Sequence, residues 1–274
     1  MLITQRDFIK LRDVIYRRSG IFIDEKKYGT LSRKIEDYIQ KNGYETFRAF
    51  FHEIRFNQDK TIFQDLINIV TVNETYFYRE KYQFETLVDH VLPMLHQKKP
   101  DNQPIRILCS PSSTGEEPYS IALHLLDEGK LVEERDFEII GIDIDSTVIQ
   151  KAKMGKFTKR SIQFIPPHLL SNYFNQDGML YQIADFLTDV IDFQVVNVMD
   201  KIQMKKLGKF DVIFSRNMLI YFDDTSRREV AMTFYEMLNP NGYVFLGHAE
   251  SMSRIVSIYE SQKLGESIVY QKTK

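Results

Sequence analysis

With 274 residues, of which 43% are hydrophobic, the chain carries enough apolar material for one large domain or two small ones, and disorder is not expected. Its 36 basic residues nearly balance 38 acidic ones, and a formal net charge of −2 gives no overall attraction to nucleic acid or to an anionic membrane. A single cysteine, Cys109, excludes an intramolecular disulfide framework, and no apolar run reaches the length of a membrane span, so a cytoplasmic protein without membrane insertion is expected.

The opening MLITQRDFIKLRD is charged and periodic, unlike a secretory signal, and Thr4 with Asp7 offers a capping box. From Thr4 to about Val70 apolar residues fall at helical spacing: Phe8, Leu11, Val14 and Ile15; Leu31, Ile35, Tyr38 and Ile39; Phe47, Phe50, Phe51 and Ile54; Ile62, Phe63, Leu66, Ile67 and Val70. Gly20 and Gly43 stand where helices stop. A small all-helical domain over 1–72 is expected, followed at 73–98 by a linker and a helix of about 82–97. After the polar break KKPDNQP the pattern becomes strand, helix, strand: IRILC, then Glu116 to Asp127, FEIIGID, Ser146 to Met154, and later FDVIF and YVFLG. Such alternation predicts a mostly parallel sheet with helices on both faces over 99–274, with ligands beyond the carboxyl ends of its strands.

The loop after the first strand reads CSPSSTGEEPYS, residues 109–120. A phosphate-binding turn aims backbone N–H groups and a lysine at an anion, whereas Glu116 and Glu117 here would repel one. Thr114 with Glu117 has the spacing of a capping box, yet a helix start uses at most one of the two acids. A ligand bearing positive charge accounts for the other, and S-adenosylmethionine is such a molecule, with an ammonium, a sulfonium and a ribose but no phosphate. Cys109, at the end of an apolar strand, reads as a core thiol. The second strand ends in GIDID, where Asp143 is placed to accept ribose hydroxyls while Asp145 or Ser146 caps the next helix. Asn197, in VVNVMD, suits the adenine edge, although Asn after a strand is also an ordinary turn residue. In SRNMLIYFDD, residues 215–224, Arg216, Asn217 and Tyr221 supply donors suited to an oxygen anion. A carboxylate nucleophile needs no general base at neutral pH.

These segments, with TVNETYFYRE (71–80) and NPNGYVFLGHAES (239–251), resemble in order and spacing the signatures of the chemoreceptor glutamate methyltransferases, the CheR family of bacterial chemotaxis. The resemblance implies an α/β class I methyltransferase domain of Rossmann-like fold, an all-helical domain before it, and a small inserted antiparallel β-subdomain at about 171–196. It implies S-adenosyl-L-methionine as cofactor and S-adenosyl-L-homocysteine as product, with glutamate side chains on the helical bundle of a chemoreceptor as substrate. By position it implies that Asn73, Thr75 and Arg79 close over the methionine end of the cofactor. Further contacts come from Glu117, Asp143, Asn197 with Val198, and Arg216 with Asn217, and Tyr221 lies close to the transferred methyl. Tyr221, Arg79 and Arg216 form the expected catalytic set. His248 matches a family histidine but lacks metal-ligand spacing, and no metal is expected.

Two departures qualify the resemblance. Relatives that dock on a receptor's terminal pentapeptide carry a longer glycine-containing loop before the inserted hairpin, which is expected to pair 179–183 with 190–196; here that loop is only NQDG, so independence of such a tether is expected. In SRKIEDYIQKNG, Arg33 and Lys34 are kept, but Glu36 and Asp37 interrupt the basic face that meets the receptor in relatives. The same chemistry on another protein or a small acid, and a non-catalytic cofactor sensor, stay open as alternatives.

Overall fold

The computed structural model describes residues 3–56 and 60–273. The chain divides into two units, one formed by Met1–Val72 with Tyr221–Ser226, the other by Asn73–Ile220 with Arg227–Lys274.

The first unit is helical, with α1 (Gln5–Ser19), α2 (Tyr28–Lys41), α3 (Phe47–Phe56) and α4 (Thr61–Val70). Thr4 caps α1: its hydroxyl accepts the Asp7 N–H at 3.2 Å and donates to the Asp7 carboxylate at 2.6 Å. The helix ends on Gly20, whose φ of 73° is left-handed and whose N–H reaches the Tyr16 carbonyl. The periodic residues Phe8, Leu11, Ile15, Leu31, Ile35, Phe50, Ile54, Leu66 and Ile67 are buried together as the core of this unit. The strap Tyr221–Ser226 is fastened to the turn after α1. Ile21 bridges Phe222 in antiparallel fashion, the Phe22 N–H donates to the Tyr221 carbonyl at 2.8 Å, and the Tyr16 hydroxyl donates to Asp223 at 2.7 Å.

The second unit opens with an irregular stretch, 73–81, and a long helical segment made of α5 (Tyr82–Thr86), one π-helical turn (Leu87–Val91) and α6 (Leu92–Lys98). There follow β1 (Ile105–Cys109), α7 (Glu116–Glu128), β2 (Phe137–Asp143), α8 (Ser146–Met154), β3 (Lys156–Thr158), α9 (Pro167–Tyr173), β4 (Phe174–Asp177) and β5 (Leu180–Ile183). The chain continues through α10 (Asp185–Val190), β6 (Ile191–Val195), α11 (Lys201–Lys206), β7 (Phe210–Ser215), α12 (Asp224–Met237), β8 (Leu238–Leu246), β9 (Glu260–Leu264) and β10 (Ser267–Gln271). The main sheet runs β6-β2-β1-β7-β8-β10-β9. Its first five strands are parallel, and β10 is antiparallel to both β8 and β9. β7 is buried at every position, so its apolar residues Phe210, Val212, Ile213 and Phe214 do not alternate with exposed ones, and Asp211 and Ser215 are buried with them. Connections leave β1 toward β2 on one side and β7 lies on the other, so the strand order reverses at β1 and the carboxyl ends of β2, β1 and β7 open side by side.

The small antiparallel sheet, ordered β3-β5-β4, corrects the expected hairpin. β5 pairs with β4 through a turn at Gly178 and Met179, and with β3 on its other side. Residues 191–195 instead form the parallel edge of the main sheet against β2. Ile191 and Phe193 alternate into the main core, so pairing this strand with 180–183 would remove both from it.

Candidate cofactor site

The carboxyl ends of β1, β2, β6 and β7 gather most of the residues singled out by sequence. Beyond β1, Gly115 takes φ +97°, and a Cβ there would meet the Tyr119 ring at 2.8 Å, so only glycine lets the loop turn tightly onto α7. The expected capping box does not form. Glu116 turns inward and accepts the hydroxyls of Thr114 at 2.6 Å and Ser161 at 2.7 Å, while Glu117 reaches Arg216. Burial pushes the Glu116 carboxyl up, and the two hydroxyls offset part of that rise.

Asp143 ends β2 as a buried carboxylate. One oxygen accepts the Ser113 N–H at 3.0 Å and the other the Asp145 N–H at 2.9 Å, leaving acceptor capacity on both. Burial lifts its pKa to about 6 against these bonds. Capping of α8 falls to Asp145, which accepts the N–H groups of Thr147 and Val148 and also the Asn73 amide at 2.8 Å. At the end of β6, Asn197 accepts the Met199 N–H through its side-chain oxygen, the turn role, beside buried Val198.

Arg216, at the end of β7, is 3% exposed in its side chain and does not present a free guanidinium. It donates to Glu117 at 2.9 Å, Glu80 at 3.0 Å and the Arg79 carbonyl at 2.6 Å. A buried guanidinium needs carboxylate partners, and the two acids supply them. Glu117 is pushed up by burial, with Arg216 pulling it back and the Glu80 charge adding to the rise. Arg79 itself lies over the Tyr76 ring, 5.7 Å from its centroid. Thr75 is half-buried in the same irregular stretch.

Two acids escaped the sequence reading. Glu80 joins Arg216, the Gln83 amide at 3.1 Å and His248 at 2.7 Å, which gives His248 a tethering contact. Burial raises Glu80, but Arg216 and the His248 hydrogen bond outweigh it and hold the carboxyl below its usual range. Glu250 accepts the N–H groups of Asn217 at 2.8 Å, Leu219 at 2.8 Å and Gly247 at 3.0 Å, pinning the loop after β7. Removing that carboxylate in Glu250→Ala strands three backbone donors, and a loss of about 3 kcal/mol in unfolding free energy is expected by denaturant titration. The non-glycine residues Tyr78, Glu80, Ser113 and Asn217 all adopt left-handed φ, between 48° and 58°, around this same edge. Such strain gathers at functional sites.

Tyr221 is not in this unit. It belongs to the helical one, where Lys27 Nζ lies 5.6 Å from its ring centroid.

The donor set suits a ligand with a cationic end and sugar hydroxyls. Asp143 offers acceptors to hydroxyls, and the buried Glu117 Oε1 atom has no N–H or O–H donor among the described residues. Comparison with known proteins agrees. The all-alpha domain of CheR methyltransferases matches residues 6–71, and the SAM binding domain of CheR methyltransferases matches 73–267. Chemotaxis protein methyltransferase 2 of Vibrio cholerae is 43% identical over 274 residues, covering 99% of this chain and 94% of that one. A probable chemotaxis protein methyltransferase of Rhizobium etli is 32% identical, covering 88% and 90%, and the chemotaxis protein methyltransferase of Escherichia coli is 30% identical, covering 93% and 87%. With an all-alpha domain and a SAM binding domain matched in sequence order, the chain belongs to the CheR family of S-adenosylmethionine-dependent methyltransferases.

Proposed function

We propose that the protein methylates glutamate side-chain carboxylates on the cytoplasmic helical bundle of chemoreceptors, forming glutamyl methyl esters and S-adenosylhomocysteine. The observation that carries this reading is the acid placement at the ends of β1 and β2: Glu117 with an oxygen that has no N–H or O–H donor among the described residues, and Asp143 buried with acceptor capacity to spare. Asp143 would hold the ribose of S-adenosylmethionine, Glu117 its ammonium and Arg79 its carboxylate. Asn73 and Thr75 would close the amino-acid end, Asn197 and Val198 would flank the adenine, and Arg216 with Asn217 would support the floor. The cofactor supplies a methyl group on a sulfonium, which is transferred as the carboxylate oxygen–methyl bond forms and the sulfur–methyl bond breaks.

The protein's own contribution is alignment and water exclusion, because an ionised glutamate needs no proton removed. Tyr221 would orient the incoming carboxylate through its hydroxyl, with its ring and carbonyl held by Lys27 and Phe22. Tyr221→Phe is expected to lower kcat by at least about tenfold while cofactor Kd changes less than about twofold, as read by steady-state kinetics beside calorimetry.

For recognition of the receptor, Arg33 and Lys34 stand exposed on α2. Glu36 accepts the Ile3 N–H and keeps its charge, and Asp37 is exposed beside it, so the basic face is interrupted as expected. Of the expected loop NQDG, Asn175 to Asp177 belong to β4 and only Gly178 with Met179 forms a turn, a shortness that supports independence of a terminal pentapeptide tether. Among the described residues no helix is long and apolar enough to cross a membrane.

The test is transfer of labelled methyl from S-adenosylmethionine to receptor-containing membranes, followed by mild alkali. Volatile labelled methanol supports the ester. Alkali-stable label, or none with cofactor binding intact, points to another acceptor.

A further inference from the structure

Glu80 plays no part in the reaction as described, yet its carboxylate ties together three side chains of the site. It sits in the irregular stretch before α5 with φ 56°, and its side chain is 13% exposed. One oxygen meets His248; the other accepts both Arg216 Nη2 and the Gln83 amide. Gln83 in turn donates to the Leu246 carbonyl at the end of β8, so the Glu80 carboxylate is held from three directions.

The consequence lies in how Arg216 divides its donors. A guanidinium beside a single carboxylate prefers the bidentate fork, with both carboxylate oxygens occupied. Here Nη1 goes to Glu117 Oε2 alone, and Nη2 is drawn to Glu80 and the Arg79 carbonyl. Glu117 Oε1 is therefore left buried without an N–H or O–H donor among the described residues. The one donor on that side is the buried Cys109 thiol, which burial, the Glu117 charge and its hydrogen bond to that carboxylate keep protonated; a thiol is a weak donor that an ammonium outcompetes.

We propose that Glu80 is a positioning residue that holds Arg216 in a monodentate grip on Glu117, keeping Glu117 Oε1 available for the ammonium of S-adenosylmethionine. This rests on the assignment of Glu117 to that ammonium. Without the Glu80 charge, Arg216 Nη2 swings to Glu117, closes the fork and competes with the ligand.

The experiment measures binding of two ligands to the full chain by calorimetry. S-adenosylhomocysteine carries the amino-acid end; 5′-methylthioadenosine keeps the nucleoside and lacks that end. In Glu80→Gln the affinity for S-adenosylhomocysteine is expected to fall by about tenfold, the worth of one charge-assisted hydrogen bond, with that for 5′-methylthioadenosine unchanged. Unchanged methylthioadenosine binding also shows that the variant is folded. Equal losses for both ligands would mean general damage, and no loss for either would mean that Arg216 does not move; each overturns the inference. Glu117→Gln is measured alongside. If it binds S-adenosylhomocysteine as the wild type does, the ammonium assignment falls and the inference with it; if only Glu80→Gln is silent, the inference alone falls.

Discussion

Replacing Arg216 with methionine is expected to destabilise the protein by about 3–5 kcal/mol and to remove cofactor binding, because it leaves two buried carboxylates without their shared partner. Glu80 and Glu117 are 13% and 12% exposed in their side chains, and both take a hydrogen bond from the guanidinium. Methionine fills similar apolar volume, so lost packing contributes little and the effect reports charge. Scanning calorimetry should show the transition lowered by roughly 10 °C for a unit of this size. The triple variant that also carries Glu80→Gln and Glu117→Gln should recover part of that loss, since it removes the stranded charges rather than adding another defect. A single Arg216→Met variant with an unshifted transition would mean that water already reaches the two acids.

Asp143→Ala is expected to weaken cofactor binding by roughly a hundredfold, two charge-assisted hydrogen bonds to a ribose being worth about 3 kcal/mol net. The pH dependence follows from its environment. Burial raises its pKa to about 6 from 3.8, against the N–H groups of Asp145 and Ser113. The folded chain thus holds this proton more tightly than the unfolded one. The group's contribution to stability falls as pH rises from 3.8 to about 6, and is flat above. Under the proposed ribose contact, ligand binding runs the other way, since it is the ionised form that would accept the hydroxyls. Affinity should be level above pH 7 and drop as pH falls through 6, by about tenfold at pH 5. Calorimetry across that range checks it, and Asp143→Asn should bind weakly with no such slope. A wild-type profile flat to pH 5 would remove Asp143 from the ribose.

Much of this architecture was legible because its elements are locally consistent. The helical domain announces itself through three- and four-residue spacing, and α1 through Thr4 and Gly20 at its ends. The parallel strands announce themselves through short apolar runs, such as Val212–Phe214 within β7. Asp143 and Glu117 could be singled out because acids at strand ends are out of place in a phosphate site. Glu80 and Glu250 could not, since their roles come from partners 136 and 33 positions away, and neither lies in a periodic segment. The left-handed backbone at Tyr78 and Glu80 likewise leaves no mark, because neither is glycine. The misplaced hairpin has the same origin. Both 180–183 and 191–195 alternate, and only the competition for the main core decides which joins the large sheet.

The central claim is a division of labour: the acid ending β2 holds the nucleoside, and the acid beyond β1 holds the amino-acid end. Equilibrium binding of S-adenosylhomocysteine and 5′-methylthioadenosine to Asp143→Asn and Glu117→Gln tests it most directly. The account predicts that Asp143→Asn weakens both ligands while Glu117→Gln weakens S-adenosylhomocysteine alone. Equal weakening of both ligands by Glu117→Gln, or full binding of both by Asp143→Asn, would contradict it.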